Sequence, residues 1–419
     1  MLQTKSVIKL FIFVIFEFKQ IVKFIIFYIN GKKFYFQEVD RIGEFILGYI
    51  TLYNYIKTNN KSNIIIIYSD NEKEFKIGNK FILNQIIFKF NQEKIKTINS
   101  VLIIKVLKFF KKNFFKTEKF QNISSREYYL LLEKKQDNPK INYIPRSQQD
   151  NGDLEKNFMF ISPKFFYKEH TNLIDDLLKK NNLKRKEFIT TFTRDSAYLK
   201  KIYPNYNFSY HDFRNLKYEK LKTAIDFILS KNLKAVRIGN IKREIDKIFF
   251  SKNHLDLKYN LKDQHVEMCL IAYSKFFLTD TSGIADIADI FNVPMVKVNW
   301  CPIFSSVRKK VVILPRLFKS LKNNEILNFF ELFELLKKNN LIYVNQKKSY
   351  RDLGLEVIES DDKDILNAVK EINNRVDEDN FDALNQYQQK FEKKMKEIGF
   401  PNPGLVENNF IKKYYNLFI

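Results

Sequence analysis

The sequence has few of the residues that define cross-linked or fibrous proteins. Its 419 residues include only two cysteines, Cys269 and Cys301, which excludes a disulfide scaffold and a four-cysteine zinc site. The 10 glycines and 9 prolines are too few for a collagen-like or linker-rich chain. The scarcity of cysteine fits a reducing compartment.

The chain also lacks the motifs of several enzyme and binding classes. No GxxxxGK[ST] loop, GxGxxG turn or HExxH helix is present, and no zinc-finger, K-homology or RNP spacing occurs. The two D-x-D patterns, at residues 362–364 and 377–379, lie at predicted helix starts, where carboxylates interact favourably with the helix dipole. We therefore predict no metal site and no nucleic-acid partner.

Positive charge, by contrast, is in excess. The 72 Lys and Arg residues outnumber the 48 Asp and Glu residues and leave a net charge of +24. Such an excess indicates an anionic partner, such as a membrane surface or a phosphorylated substrate. A chain rich in Lys, Asn, Ile, Phe and Tyr is equally typical of a genome poor in G and C. At roughly 150 residues per domain, the length predicts two or three domains.

The first 30 residues predict a helix that lies at a membrane surface. The longest uncharged runs, residues 10–16 and 24–31, are shorter than the roughly 20 residues that span a bilayer. A helical projection places a polar stripe beside a broad apolar face, with Glu17 at its edge. The stripe consists of Lys5, Lys9, Lys19, Gln20 and Lys23. The alternative is a buried domain helix; a signal peptide is not favoured, because no small-residue cleavage site follows.

Apolar runs alternate with helical patterns in the second half of the chain, which predicts a parallel α/β sheet. The predicted strands are residues 63–68, 188–192, 234–238, 275–278 and 294–298. The predicted helices are residues 218–229, 266–273, 284–291, 325–338, 363–374 and 381–398. Residues 136–153 are polar and contain two prolines and a glycine, which predicts a surface loop.

Polar residues gather where three of these strands end. They lie at residues 193–196, at residues 237–240 and at residues 280–283. Ligands bind at the carboxyl ends of the strands in parallel α/β sheets. This grouping is the strongest functional signal in the chain.

Two of these segments suit a phosphate group. The guanidinium of Arg194 can bind phosphate through two hydrogen bonds and neutralise a leaving diphosphate, with Asp195 orienting it or binding a sugar hydroxyl. The turn at residues 281–283 can present backbone N–H groups and the Ser282 hydroxyl to an anion. The structural alternatives are an Arg194–Asp195 ion pair and an ordinary turn with Ser282 as the helix N-cap.

A third segment, residues 210–215 (YHDFRN), contains a histidine among other polar residues. His211 titrates near neutrality and is a candidate general base. Lone histidines more often have a structural role, and the chain has four.

Taken in order, these segments resemble a family of bacterial glycosyltransferases found in surface-polysaccharide gene neighbourhoods. The resemblance covers residues 40–419 and is carried by an ordered block with an N-terminal Arg-Ile-Gly motif and a similar C-terminal end. Its segments are residues 41–43 (RIG), 192–199 (FTRDSAYL), 210–215 (YHDFRN), 236–240 (VRIGN), 277–283 (FLTDTSG), Pro294 and 401–418. A more distant similarity is to fucosyltransferase-like enzymes. It implies that Arg194 and Ser282 hold the diphosphate of a sugar nucleotide.

The resemblance implies an α/β protein of the GT-B type, with two Rossmann-like domains facing across a cleft. The expected organisation is a membrane-interface helix (1–35), an acceptor-side domain (36–180), a nucleotide-sugar-binding domain (181–400) and a tail (401–419). The expected site residues fall into three groups. They are catalytic His211, Asp195 and Glu44; donor-binding Arg194, Arg214, Arg237, Gly239, Asn240, Thr281, Ser282 and Gly283; and acceptor-side Arg41 and Gly43.

The implied reaction is metal-independent transfer of a sugar from a nucleotide sugar, with no other cofactor, to a surface glycan or lipid-linked acceptor. The expected location is cytoplasmic, peripheral on the inner face of the plasma membrane. The family often has histidine where this chain has Glu44 and Thr193. These departures suggest one alternative, a non-catalytic protein that binds nucleotide sugars or glycans. A second alternative that stays open is a 2-epimerase-like enzyme on the same fold.

Overall fold

A computed structural model describes most of the chain and divides it into two compact units. The first unit is Met1–Gly152 with Lys156–Ile161, and the second is Ser162–Ile419 with Asp153–Glu155. The described residues are 2–36, 39, 42–58, 64–75, 77–114, 128–135, 138–145, 158–163, 166, 168–202, 204–205, 207, 209–239, 243–257, 264–301, 307–339, 341, 347–400 and 403–418.

The first unit is built on a five-stranded mixed sheet in the order β3-β2-β1-β4-β5. Its strands are β1 (Lys33–Phe36), β2 (Ile64–Tyr68), β3 (Thr97–Asn99), β4 (Tyr128–Lys135) and β5 (Asn138–Pro145). Its helices are α1 (Leu2–Ile29), α2 (Ile42–Thr58), α3 (Lys80–Gln92) and α4 (Val101–Phe114). β1, β2 and β3 are parallel, whereas β4 and β5 form an antiparallel hairpin beside β1.

The predicted loop at residues 136–153 is wrong over residues 138–145, which form β5. Two prolines, Pro139 and Pro145, had argued against a strand there. β5 is the edge strand of the sheet. Prolines are tolerated on an edge, because the missing N–H does not interrupt a ladder on both sides.

Helix α1 packs its inner side on this sheet and presents an apolar face to solvent. Phe24, Phe27 and Tyr28 lie against a core cluster that includes Phe34 of β1 and Ile65 of β2. The exposed apolar residues, 38% to 67% accessible, are Leu10, Phe11, Ile12, Val14, Ile15, Phe16, Phe18, Val22, Ile25, Ile26 and Ile29. Among the described residues, no helix has both the length and the apolar character needed to cross a membrane.

Polar residues of α1 face the protein. Glu17 is 1% exposed, and its carboxylate accepts hydrogen bonds from the backbone N–H of Val101 (2.8 Å) and Leu102 (3.2 Å) and from the Ser100 hydroxyl (2.6 Å). It therefore caps the N-terminus of α4. Gln20 is also buried, although the helical projection grouped it with the lysines.

The second unit is built on a seven-stranded sheet in the order β14-β11-β10-β9-β6-β7-β8, in which every neighbouring pair is parallel. Its strands are β6 (Phe188–Phe192), β7 (Lys234–Arg237), β8 (His254–Asp256), β9 (Phe277–Asp280), β10 (Met295–Trp300), β11 (Val307–Pro315) and β14 (Pro403–Val406). A separate antiparallel pair consists of β12 (Leu317–Ser320) and β13 (Leu355–Ile358).

The helices of the second unit follow the strands. They are α5 (Lys168–Lys180), α6 (Ala197–Ile202), α7 (Lys222–Ser230), α8 (Gln264–Tyr273), α9 (Ala285–Ile290), α10 (Phe329–Lys338), α11 (Lys347–Asp352), α12 (Asp362–Asp377), α13 (Gln386–Glu397), α14 (Asn408–Lys413) and α15 (Tyr415–Phe418). Short 3-10 helices cover Ser209–Arg214, Tyr218–Leu221 and Lys247–Phe249.

Two parts of the chain do not follow the predicted domain ranges. Helix α5 falls within the predicted first domain but belongs to the second unit. The predicted tail, residues 401–419, supplies β14, which pairs with β11 at one edge of the large sheet. The described part of the tail is therefore integral to the second unit.

Candidate functional site

The carboxyl ends of four adjacent strands bring charged side chains together. β11, β10, β9 and β6 are neighbours in the large sheet. Asp280 is the last residue of β9, Arg194 follows β6 by two residues, and Arg316 comes directly after β11. Because these strands are parallel, their carboxyl ends lie at one edge, which we call the carboxyl edge.

Asp280 is the buried carboxylate at the carboxyl edge. It is 0% exposed, and its Oδ2 accepts a hydrogen bond of 2.6 Å from the backbone N–H of Arg194. Its Oδ1 has no hydrogen-bond partner among the described residues. Burial raises the pKa of Asp280 to about 7, although the Arg194 N–H and the charges of Arg194, Arg214 and Arg316 act in the opposite direction.

Arg194 links this carboxylate to the predicted segment 210–215. Its side chain is 8% exposed and donates from Nη1 to the side-chain oxygen of Asn215. Asn215 in turn donates to Asp212 at 3.1 Å, and the Leu216 N–H donates to the Arg194 carbonyl at 3.4 Å. The structure therefore brings together two segments that are separate in sequence.

Arg214 ends the 3-10 helix Ser209–Arg214 and reaches the same region. Its charge acts on Asp280 and also on Cys301 and Tyr350. Cys301 follows β10, is fully buried and lies 3.6 Å (Sγ to Oη) from Tyr350. Burial raises the pKa of the Cys301 thiol, so the thiol is neutral in this region.

The turn after β9 is held by internal hydrogen bonds. The Thr281 hydroxyl donates to the Asn299 carbonyl (2.9 Å) and accepts from the Cys301 N–H (3.2 Å). The Ser282 hydroxyl lies 3.3 Å from that of Thr279. The helix that follows, α9, has six residues and Ile284 as its N-cap. Ser282 is thus not the cap, and donor binding by Thr281, Ser282 and the exposed Gly283 stays a prediction.

Asp195 and Arg237 have structural contacts beside the carboxyl edge. Asp195 accepts from the backbone N–H of Ala197 (2.8 Å) and of Arg243 (2.6 Å). Arg237 is 2% exposed, donates to the Arg243 carbonyl (2.7 Å) and lies over the Tyr218 ring at 4.8 Å. Both residues hold the segment after β7 in place. Their catalytic and donor-binding roles stay predictions.

The structure describes some of the remaining predicted residues and leaves others outside its described part. Gly43 lies within α2, and Gly239 is buried with φ of +112°, a backbone conformation that favours glycine. Arg41 and Asn240 lie outside the described residues. The side chains of Glu44 and His211 also lie outside the described part, although their backbones belong to α2 and to the 3-10 helix Ser209–Arg214.

Two further features concern possible ligands. Within the described residues, no group of three His, Cys, Asp or Glu side chains is arranged to hold a metal ion. An open groove of about 790 Å³ lies away from the carboxyl edge, and none of the edge residues lines it. Its lining includes Tyr387, Lys390, Lys413 and Tyr415. The carboxyl edge is the candidate site, because ligands bind at the carboxyl ends of the strands in parallel α/β sheets.

Arg316 is the residue at this edge that the sequence analysis missed. It follows an apolar strand, β11, that the alternation of strands and helices did not predict, because only residues 301–306 separate β10 from β11. No motif marks it. The one available signal was a single arginine at the end of the apolar run Val311–Pro315.

Comparisons with known proteins give weak likenesses only. No family model matches the chain, and no curated protein matches it. The structure of a glycosyl transferase family 9 protein from Veillonella parvula is 10% identical, covers 81% of this chain and 96% of that chain, and has a TM-score of 0.40. E. coli heptosyltransferase WaaC with ADP-2-deoxy-2-fluoro heptose is 8% identical, covers 73% of this chain and 98% of that chain, and has a TM-score of 0.29. At such scores neither likeness carries an argument about this chain.

Proposed function

We propose that the protein is a glycosyltransferase that uses a nucleotide sugar, with the donor diphosphate bound at the carboxyl edge. The observation that carries the proposal is the gathering of arginine side chains around a buried carboxylate at this edge. Three arginines, Arg194, Arg214 and Arg316, act on a single buried carboxylate, Asp280. Such an excess of guanidinium groups at the ligand-binding edge of a parallel sheet suits a diphosphate. The sequence resemblance described above adds the reaction class.

The arginines would stabilise the charge that develops on the leaving nucleoside diphosphate. This role does not require a metal ion, so the proposed transfer is metal-independent. A hydroxyl of the acceptor attacks the anomeric carbon of the donor sugar, the bond from that carbon to the diphosphate breaks, and a base takes the hydroxyl proton. Because both oxygens of Asp195 accept backbone N–H groups, we assign it a positioning role and propose His211 or Glu44 as the base.

The proposal gives donor binding to the second unit and acceptor binding to the first, where Gly43 lies in α2. The predicted arrangement of two domains across a cleft stays a prediction. The proposed acceptor is a lipid-linked or growing surface glycan. Such an acceptor suits an enzyme held at a membrane.

We also propose that α1 holds the protein on an anionic membrane, at the inner face of the plasma membrane. Its exposed apolar face would contribute at roughly 25 cal/mol per Å² buried. The exposed Lys19 and Lys23 would each add about 1 kcal/mol at an anionic surface. These two contributions together favour reversible binding, since neither alone gives a stable anchor.

The test of the proposed function is a product analysis with purified protein and a panel of nucleotide sugars. We expect one donor to release its nucleoside diphosphate and to transfer its labelled sugar to a lipid extract. An epimerised nucleotide sugar instead of a glycan would indicate the 2-epimerase-like alternative. Donor binding without any turnover would indicate a non-catalytic binding protein.

A further inference from the structure

Arg316 is buried at the carboxyl edge without the partners that a structural arginine has. It is 3% exposed, and its backbone N–H donates to the Trp300 carbonyl at 3.1 Å. Its side-chain Nε and Nη2 have no hydrogen-bond partner among the described residues. Burial lowers the pKa of Arg316, while the nearby Cys301, Glu359 and Asp280 raise it. A guanidinium group nevertheless keeps its charge in proteins.

Arg375, another buried arginine of the second unit, differs in this respect. Arg375, 8% exposed, donates to the Glu371 carboxylate at 2.8 Å and to the carbonyls of Asn380 (3.2 Å) and Ala383 (2.9 Å). A buried N–H donor without an acceptor lowers the free energy of unfolding, because it has lost its hydrogen bonds to water. Arg375 therefore stabilises the fold, whereas Arg316 requires another explanation.

Neither of the two carboxylates that act on Arg316, those of Glu359 and Asp280, gives these N–H groups an acceptor. Asp280 uses its Oδ2 for the Arg194 N–H, and its Oδ1 also has no hydrogen-bond partner among the described residues. The Glu359 carboxylate forms an ion pair with Lys220 at 2.7 Å. A buried guanidinium group with unused N–H donors suits a multiply charged oxyanion.

We propose that Arg316 is an anion-binding residue that holds a phosphate group of the donor, together with Arg194 and Arg214. The assignment of this phosphate to a nucleoside diphosphate rests on the proposed function. The bound phosphate accepts hydrogen bonds from Nε and Nη2 of Arg316.

The experiment compares Arg316→Met with Arg375→Met as a matched buried control. Thermal unfolding of the empty proteins and calorimetric titration with pyrophosphate and with nucleoside diphosphates are both measured. We expect Arg316→Met to unfold at the same or a higher temperature than the parent, because it removes a buried charge that lacks acceptors. Its affinity for pyrophosphate should fall roughly 10- to 150-fold, the loss of a hydrogen bond to a charged group.

Arg375→Met should show the opposite pattern, with a lower unfolding temperature and unchanged affinity per folded molecule. Arg316→Lys keeps one positive charge without the planar fork and should recover part of the affinity for pyrophosphate. This second variant also keeps the test valid if Arg316→Met does not fold. If Arg316→Met unfolds as early as Arg375→Met and binds pyrophosphate within twofold of the parent, Arg316 is structural and the proposal is wrong.

The titrations also separate this inference from the proposed function. If the parent binds pyrophosphate through Arg316 but prefers no nucleoside diphosphate, the anion site stands and donor binding fails. If the parent binds a nucleoside diphosphate and Arg316→Met binds it equally well, the function stands and the role of Arg316 fails. Absence of any binding to the parent overturns both.

Discussion

Replacing Glu17 by alanine should lower the free energy of unfolding of the first unit by about 3 kcal/mol, a typical figure for a buried charged cap. Glu17 is 1% exposed and its carboxylate accepts three hydrogen bonds at the start of α4, of 2.6, 2.8 and 3.2 Å. Two of the donors are the N–H groups of Val101 and Leu102, which have no acceptor within an α-helix.

The magnitude follows from these contacts. Each hydrogen bond to a charged group contributes about 1.5–3 kcal/mol, but bonds to one carboxylate are not additive. The Ser100 hydroxyl also still accepts from the Ile103 N–H at 3.1 Å, so α4 keeps part of its cap. We therefore expect a loss well below the sum of three bonds. Glu17→Gln keeps an acceptor oxygen and should cost about 1 kcal/mol, as for a weakened cap.

Two probes distinguish unfolding of the two units. Far-ultraviolet circular dichroism reports unfolding of both units, whereas the fluorescence of the single tryptophan, Trp300, reports on the second unit. In urea unfolding, Glu17→Ala should shift the circular dichroism transition, and hydrogen exchange should accelerate at the first amides of α4. The control is Glu74→Ala, which removes a half-exposed ion pair with Lys105 and should cost less than about 1 kcal/mol. If the two variants cost the same, the cap assigned to Glu17 is wrong.

Three further predictions concern the membrane, metal ions and pH. Phe18→Asp, on the exposed face of α1, should abolish binding to anionic liposomes in flotation assays without lowering the unfolding temperature, whereas Leu321→Asp, at a half-exposed position of the second unit, should leave binding intact. Sugar transfer should survive EDTA; full loss that manganese or magnesium restores would count against the metal-independent reaction. Burial lowers the pKa of His254 to about 4. The unfolded chain therefore binds the extra proton between about pH 4 and 6.5, and stability from this group rises with pH across that window. Asp280, with its pKa raised to about 7, acts oppositely: stability falls as pH rises from about 4 to 7, and Asp280→Asn should remove that fall in pH-dependent urea unfolding.

Four strands of the large sheet, β6, β7, β9 and β10, were predictable because they are short apolar runs between helical patterns. β6 occupies the predicted residues 188–192, and β7 ends one residue earlier than predicted. β9 ends two residues later than predicted, at the charged Asp280. Composition places a carboxylate outside a strand, whereas here Asp280 pairs with Val298 of β10 in the ladder.

Strand order and the hairpin of the first unit were not predictable in the same way. β11 follows β10 after residues 301–306, so the expected alternation of strand and helix fails there. β4 and β5 contain charged residues and two prolines, and they become strands through pairing with β1 and with each other. Such pairing depends on residues distant in sequence, which local patterns do not encode.

The candidate site was likewise predictable only in part. The meeting of Arg194 and Asp280 follows from the rule that parallel strands present their carboxyl ends at one edge. Arg214 reaches them from the 3-10 helix Ser209–Arg214, which that rule does not cover. Arg316 reaches that edge only through β11, so its role required the three-dimensional structure. Asp195 and Arg237 carry predicted functional roles, but their contacts to the segment after β7 are visible only in the fold.

The most direct test of donor binding at the carboxyl edge is calorimetric titration of the parent, Arg194→Ala and Arg194→Lys with UDP, GDP and ADP. We predict that the parent binds one of these nucleotides and that pyrophosphate competes for the same site. Arg194→Ala should bind that nucleotide roughly 10- to 150-fold more weakly with its fold retained, since a charged hydrogen bond contributes about 1.5–3 kcal/mol. Arg194→Lys should recover little affinity, because an ammonium group does not reproduce the planar fork. If Arg194→Ala binds the nucleotide as tightly as the parent does, donor binding at the carboxyl edge through Arg194 is wrong.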